Sequence, residues 1–196
     1  MKIRLGIAVA AIMFTSAISA QHSAQPVAFG LKGGLNVYNV KNDPGAEYDS
    51  KIGFNAGALA HIHLASQLAL QPEVVYSAQG AKYNLGNTEA KLKLGYINVP
   101  VMLQYMFDNG FRIQAGPQVG FLINAKTEIG DVESDVKDQL KTIDFGVGAG
   151  IGYIDPKSGF GVDARYNLGL SDITEDNGSK STNRGFQVGV FYLFHK

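Results

Sequence analysis

The chain has no cysteine and no tryptophan among its 196 residues. Without cysteine there can be no disulfides, no thiolate metal sites and no lipid anchor on a cysteine. There is no excess of either charge: 17 Lys and Arg stand against 17 Asp and Glu, with four His. The basic surface that nucleic-acid binding requires is therefore missing. Past the first 20 residues no stretch approaches the roughly 18 uninterrupted apolar residues of a membrane helix. That excludes a helical membrane protein but not a barrel, whose strands are individually weak signals.

Glycine, by contrast, is abundant, with 24 residues, and its placement is regular. The stretch 142–170 organises the rest. Ile143, Phe145, Val147, Ala149, Ile151 and Tyr153 alternate with Asp144, Gly146, Gly148, Gly150 and Gly152. After a turn containing Asp155, Pro156, Ser158 and Gly159, a second arm sets Phe160, Val162, Ala164, Tyr166, Leu168 and Leu170 against Gly161, Asp163, Arg165, Asn167 and Gly169. Strict period-two alternation predicts a hairpin with one apolar face. Glycine weakens a strand, so a face rich in it calls for a reason. A crowded interior supplies one, because glycine leaves room for a long side chain on the neighbouring strand. The large apolar residues then point outward, into lipid.

Other readings of GVGAGIG fit less well. The apolar run between Asp144 and Asp155 is too short for a G-x-x-x-G membrane helix, which needs roughly 20 residues. No frame supplies the glycine spacing of a dinucleotide fingerprint, and a turn follows instead of a helix.

Residues 1–20 read as a secretory signal peptide: Lys2 and Arg4, then an apolar run, then Ser19-Ala20 before Gln21. Removing Lys2 and Arg4 leaves 15 basic residues against 17 acidic, a net charge of −2. The expected organisation is signal peptide 1–20, a short periplasmic segment 21–27 and a barrel 28–196.

The same alternation recurs along the barrel. It predicts strands near 29–37, 52–63, 68–79, 92–107, 111–124, 143–153, 160–170 and 185–194. In the fourth, Leu92, Leu94 and Tyr96 fall on even positions while Ile97, Val99, Val101, Leu103 and Tyr105 fall on odd ones. A one-residue bulge near 95–97 would reconcile the two phases. It also turns Pro100 inward, where a proline cannot donate to the ladder. Three connections are short: 65–67, 108–110 and 155–159. The other four are long: 39–50, 80–91, 126–141 and 171–183. Twelve of the 17 acids fall in these long loops. An even strand count with alternating short and long connections predicts an all-β fold: an eight-stranded antiparallel up-and-down transmembrane barrel with a side-chain-filled interior. The short turns and both termini are expected in the periplasm.

Aromatics sort by strand end. Phe29, Tyr105, Phe111, Tyr153, Phe160, Tyr192 and Phe194 are expected outward near the short turns. Phe54, Tyr76, Phe121, Phe145 and Phe186 are expected outward near the long loops. Two such girdles match the two interfaces of a bilayer. Outer-membrane lipid is thus the expected surrounding, and barrel-assembly machinery the expected partner during biogenesis.

Inward positions carry Lys32, Glu73, Arg112, Asp144, Asp163 and Arg165, three of each sign. Charges in so narrow a space must pair. The expected role is a polar plug; the alternative is a narrow gated channel for ions or small solutes. His61 and His63 share the inner face near Glu73, a ligand inventory for zinc, but the i, i+2 spacing is weak evidence and hydrogen-bonded histidines are the plainer reading. The acids of 128–138 match no calcium loop. Neither a metal nor a cofactor is expected. No histidine lies by a serine in the long-loop half, so the nucleophile–base set of an enzyme is missing.

The segments FGLKGGLNV, GFNAGALAHIHLASQLALQPEVVYSAQGAK, YINVPVMLQYMF and FRIQAGPQVGFLI, with the closing GVFYLF, resemble the PorT-like outer-membrane beta-barrel domain family. The resemblance spans nearly all of 28–194. It implies an eight-stranded barrel in the outer membrane of a didermic bacterium and says little about activity. His195-Lys196 follow Phe194, where a terminal aromatic is the usual assembly signal.

Overall fold

The computed structural model describes residues 27–43, 48–85, 88–130, 132–175 and 180–194. Residues 1–20, read above as an export signal, the segment 21–26 with His22, and His195 lie outside them.

The described residues form nine strands: β1 Val27–Asp43, β2 Asp49–His63, β3 Leu68–Leu85, β4 Thr88–Met106, β5 Phe111–Ile129, β6 Val132–Asp135, β7 Ile143–Ile154, β8 Phe160–Gly169 and β9 Lys180–Leu193. Eight of them close a ring. Each of β1 to β5 pairs antiparallel with the next, β5 pairs with β7, and β7, β8 and β9 follow in order. The ring shuts where β9 meets β1, from Gly30↔Leu193 to Asp43↔Lys180. No helix among the described residues is long and apolar enough to cross a membrane.

The short-turn end is as read from the sequence. Gly110 and Gly159 sit in its turns with φ of 87° and 75°, a left-handed conformation that glycine adopts without strain. The long-loop end differs. Much of what reads as loop is strand: β3 and β4 run on to Leu85 and from Thr88, covering most of 80–91. Within 126–141, β5 continues to Ile129, turns at Gly130 and pairs with the short β6, after which one 3-10 turn spans Lys137–Gln139. Strands of 18 or 19 residues exceed the roughly 9–11 needed to cross a bilayer. β3, β4, β5 and β6 therefore rise beyond the wall as a fin.

The bulge is on the neighbouring strand. Gly95 faces Asn124 and Tyr96 faces Leu122, so Ile123 of β5 is the extra residue, while β4 keeps one phase against β3. Leu94 and Tyr96 consequently point inward and are buried, while Asn124 beyond the bulge is exposed. Pro100 is buried and faces Gln118 of β5.

Candidate functional site

The barrel interior is layered. At the long-loop end Val40, Ala81, Leu94, Tyr96, Leu122 and Ala125 from the wall close around Ile173, which is 1% exposed. Ile173 belongs to the connection after β8. It is held in place by Lys141 N–H donating to Ile173 O at 2.8 Å and Ile173 N–H donating to Ser181 O at 2.9 Å. Leu140 and Val136 pack on top. Two loops thus fold over the mouth.

Beneath lies an amide chain. Gln187 Nε2 donates to Asn55 Oδ1 at 3.1 Å, Asn55 Nδ2 to Asn36 Oδ1 at 2.7 Å, and Asn36 Nδ2 to Ser77 Oγ at 2.9 Å. Asn167 Nδ2 donates to Tyr38 Oη at 2.8 Å. In so confined a space each amide needs such a partner.

The charged centre follows. Glu73 on β3 accepts both ends of the Arg165 guanidinium from β8, at 2.8 and 3.1 Å. The same carboxylate accepts from Lys32 Nζ at 3.2 Å and from Gln71 Nε2 at 2.7 Å. Lys32 also donates to Asp163 Oδ2 at 3.0 Å. A two-point guanidinium–carboxylate pair with a second cation and an amide donating to the same carboxylate is an arrangement in which a buried ion pair holds. Arg165 thus meets neither Asp163, two residues away, nor Asp144. Asp144 sits half-buried nearer the loops and accepts from Ser171 Oγ at 2.6 Å and Asn183 Nδ2 at 3.0 Å.

Arg112 has no carboxylate within ion-pair distance among the described residues. Its guanidinium carbon lies 4.2 Å over the ring of Phe191, and one nitrogen donates to Gln104 Oε1 at 3.3 Å. A cation over an aromatic face is stabilised by the ring quadrupole, more so when desolvated. Glycine on β7 makes the arginine's room: a Cβ on Gly152 would lie 2.9 Å from Arg112 Nε. Phe191, with Leu59 and Leu193, forms an apolar layer that seals the short-turn end. Sequence reasoning missed Phe191. Its signal was the facing Gly161, where any Cβ would fall 2.0 Å from the ring.

His61 is buried and His63 half-buried, their rings edge to face at 4.7 Å. Glu73 is taken up by Arg165, Lys32 and Gln71. Among the described residues no three His, Cys, Asp or Glu are grouped to hold a metal.

On the outside, Phe29, Tyr105, Tyr153, Phe160 and Phe194 near the short turns, and Phe54, Phe145 and Phe186 near the long loops, are exposed. Phe111, Tyr192, Tyr76 and Phe121 are half-exposed, leaning on their neighbours, as in the Phe160–Tyr192 pair at 4.6 Å. Between the two bands the outward residues are apolar, Val188, Val190, Val162 and Ile151 among them. An apolar belt with aromatic edges on a closed sheet is a surface made for a bilayer.

Comparison with known proteins gives the same architecture. The Neisserial surface protein A structure matches with a TM-score of 0.57 at 19% identity, covering 87% of this chain and 100% of that one. Ail, the attachment invasion locus protein of Yersinia pestis, matches with a TM-score of 0.51 at 16% identity, covering 85% and 98%. At such identities the likeness is one of fold. No curated protein matches the sequence. A family model described as outer membrane protein beta-barrel domain matches residues 19–175. The chain therefore belongs to the outer membrane protein beta-barrel domain family, and its place is the outer membrane.

Proposed function

We propose that this protein is a non-enzymatic, non-conducting outer-membrane barrel whose working surface is its long-loop end, turned to the cell exterior. The observation that carries the reading is the layered interior, with Ile173 and Phe191 closing opposite ends of a charge-paired centre. A structural or surface-interaction role follows, in which the fin and the folded-over loops meet whatever the cell meets. Residues 1–20 act as a cleaved export signal, residues 21–27 remain in the periplasm, and barrel-assembly machinery inserts 28–196 among outer-membrane lipid. By its strand motifs the chain resembles the PorT-like members of that family. The absence of enzymatic activity is supported by the position of His61 and His63, inside the barrel near the short turns and away from the loop rim.

The decisive experiment is planar-bilayer conductance of the refolded barrel. A silent membrane is expected, and stable discrete openings would overturn the proposal. One observation favours a second reading, a narrow gated channel. The plug over the mouth is made of loops, and beneath it the interior is polar. Under that reading Ile173→Asp, which places a charge in the apolar closure, opens a conductance that the unaltered protein shows only rarely.

A further inference from the structure

We propose that Lys41 and Arg184 form a phosphate-binding site for an outer-leaflet lipid on the outer wall, an inference that rests on the outer-membrane placement with the long loops outside. β1 and β9 pair so that Asn39 faces Arg184 and Lys41 faces Thr182. Lys41 and Arg184 are therefore diagonal neighbours, with side-chain bases about 7–8 Å apart. Both share the outward face with Val37 and Phe186, which are exposed. A single phosphate can be reached by both side chains.

Neither cation is engaged by another described side chain. Among the described residues, the side chains of Lys41 and Arg184 make no hydrogen bond and no ion pair, although Arg184 is half-buried. The fin is different: Lys82, Lys91, Lys93 and Lys126 each meet Glu89, Glu128 or Glu133. A half-buried guanidinium without a partner has lost water contacts and gained nothing in return, so it is set to receive an anion. Directly beneath it a crevice opens in the wall, lined by Val37, Asn39, Ser50, Tyr166, Arg184 and Phe186. Within it Asn39 Nδ2 is engaged with Tyr48 O at 2.6 Å, while Asn39 Oδ1 has no partner.

The shape of the site selects the ligand. Its upper part is cationic and its lower part is aromatic and apolar, continuous with the belt that faces lipid tails. A soluble anion would use only the upper part. An amphiphile with a phosphate above an acyl chain uses both: the Arg184 fork grips two phosphate oxygens, Lys41 adds a point charge, and Phe186 and Tyr166 receive the chain.

The test is native mass spectrometry of the refolded barrel released from detergent, with a bis-phosphorylated glycolipid as probe and the same glycolipid stripped of phosphate as its control. The unaltered protein is expected to retain the phosphorylated form about tenfold better, the scale of one charged hydrogen-bonded contact. The double variant Lys41→Ala/Arg184→Ala loses that preference, Arg184→Gln loses most of it, and the fin variant Lys91→Ala/Lys93→Ala keeps it. Equal retention of the two lipids by the unaltered protein, or a preference that survives both Lys41→Ala/Arg184→Ala and Arg184→Gln, overturns the site. Competition by inorganic phosphate alone at equal concentration overturns the lipid as occupant. The heat-modifiable gel shift reports separately on folding. A chain that stays monomeric in buffer without detergent would sink the membrane reading itself.

Discussion

The protein carries two sets of ion pairs, and they are built for different ends. In the centre of the barrel Lys32, Glu73, Asp163 and Arg165 are all but completely buried and drawn from β1, β3 and β8. On the fin Lys91 and Lys93 share Glu128, and Lys93 and Lys126 share Glu133, all of them partly open to water. The chemistry is the same and the surroundings are not. Inside, a charge that loses its partner stays out of water, so the cost of breaking a pair is large. Outside, water and salt replace the partner at once, so the pairs tune one local hairpin and little else. The inner set determines whether the barrel closes, and the outer set how firmly β6 lies against β5.

The sharpest way to break the contrast is Glu73→Ala. It strips Arg165 and Lys32 of a shared partner, and removal of one member of a buried pair costs about 3–5 kcal/mol. Urea unfolding in lipid, followed by the heat-modifiable gel shift, should show a large fall in midpoint. Arg165→Ala removes one arm of the same set and should come close behind. An unchanged midpoint for either would mean that water reaches the centre. A third variant sharpens the point: Lys32→Met/Asp163→Leu, which takes out both partners of one pair, should cost clearly less than Lys32→Met and Asp163→Leu added together, because each single change leaves the other charge short of a partner.

At the other end of the scale, Glu133→Gln should leave the global midpoint where it is and only speed hydrogen exchange in β6. The fin also responds to acid with a predictable sign. Hydrogen bonds from Lys93 and Lys126 hold the Glu133 carboxyl down at about 2. A carboxyl depressed in the folded state contributes stability that is complete above its unfolded value near 4.5 and is lost as the pH falls through about 2. β6 protection should therefore decline across that window while the barrel persists, and added salt should mimic part of the loss. Parallel loss of barrel and fin would mean that the two sets of ion pairs act as one.

How much of this could be read beforehand depended on one assumption, that apolar means outward. It holds wherever the interior is polar, so β1, β2, β7 and β8 were legible from alternation alone. It fails where the interior turns apolar. Leu94 and Tyr96 belong to the inner closure, and counting them as lipid-facing displaced the bulge from Ile123 to the adjacent strand. Phe191 and Leu193 were hidden for the same reason, since aromatics beside an aromatic girdle look alike in a sequence. The long-loop end was misjudged because strands that leave the bilayer no longer need apolar residues on their outer face. In 81–94, lysine and glutamate are interspersed with the inward Ala81, Ala90 and Leu94, a pattern that reads as loop until the pairing is known. The Glu73–Arg165 pair, separated by 92 positions, depends on ring closure and register. No local signal encodes it.

Closure itself has a consequence for how the protein is made. The first and last strands meet over 14 residue pairs, and Lys32 on the first already reaches Asp163 on β8, 131 positions away. A chain inserted only as far as β5 would present Lys32, Glu73 and Arg112 to the bilayer with half their partners still unmade. Such an arc is penalised twice, by its free edges and by its naked charges. Intermediates of that kind should be avoided, so insertion and ring closure are coupled into one late event, slow because its contacts are distant in sequence. The same contacts would have to break together on the way out, which makes the mature barrel persistent once it has formed.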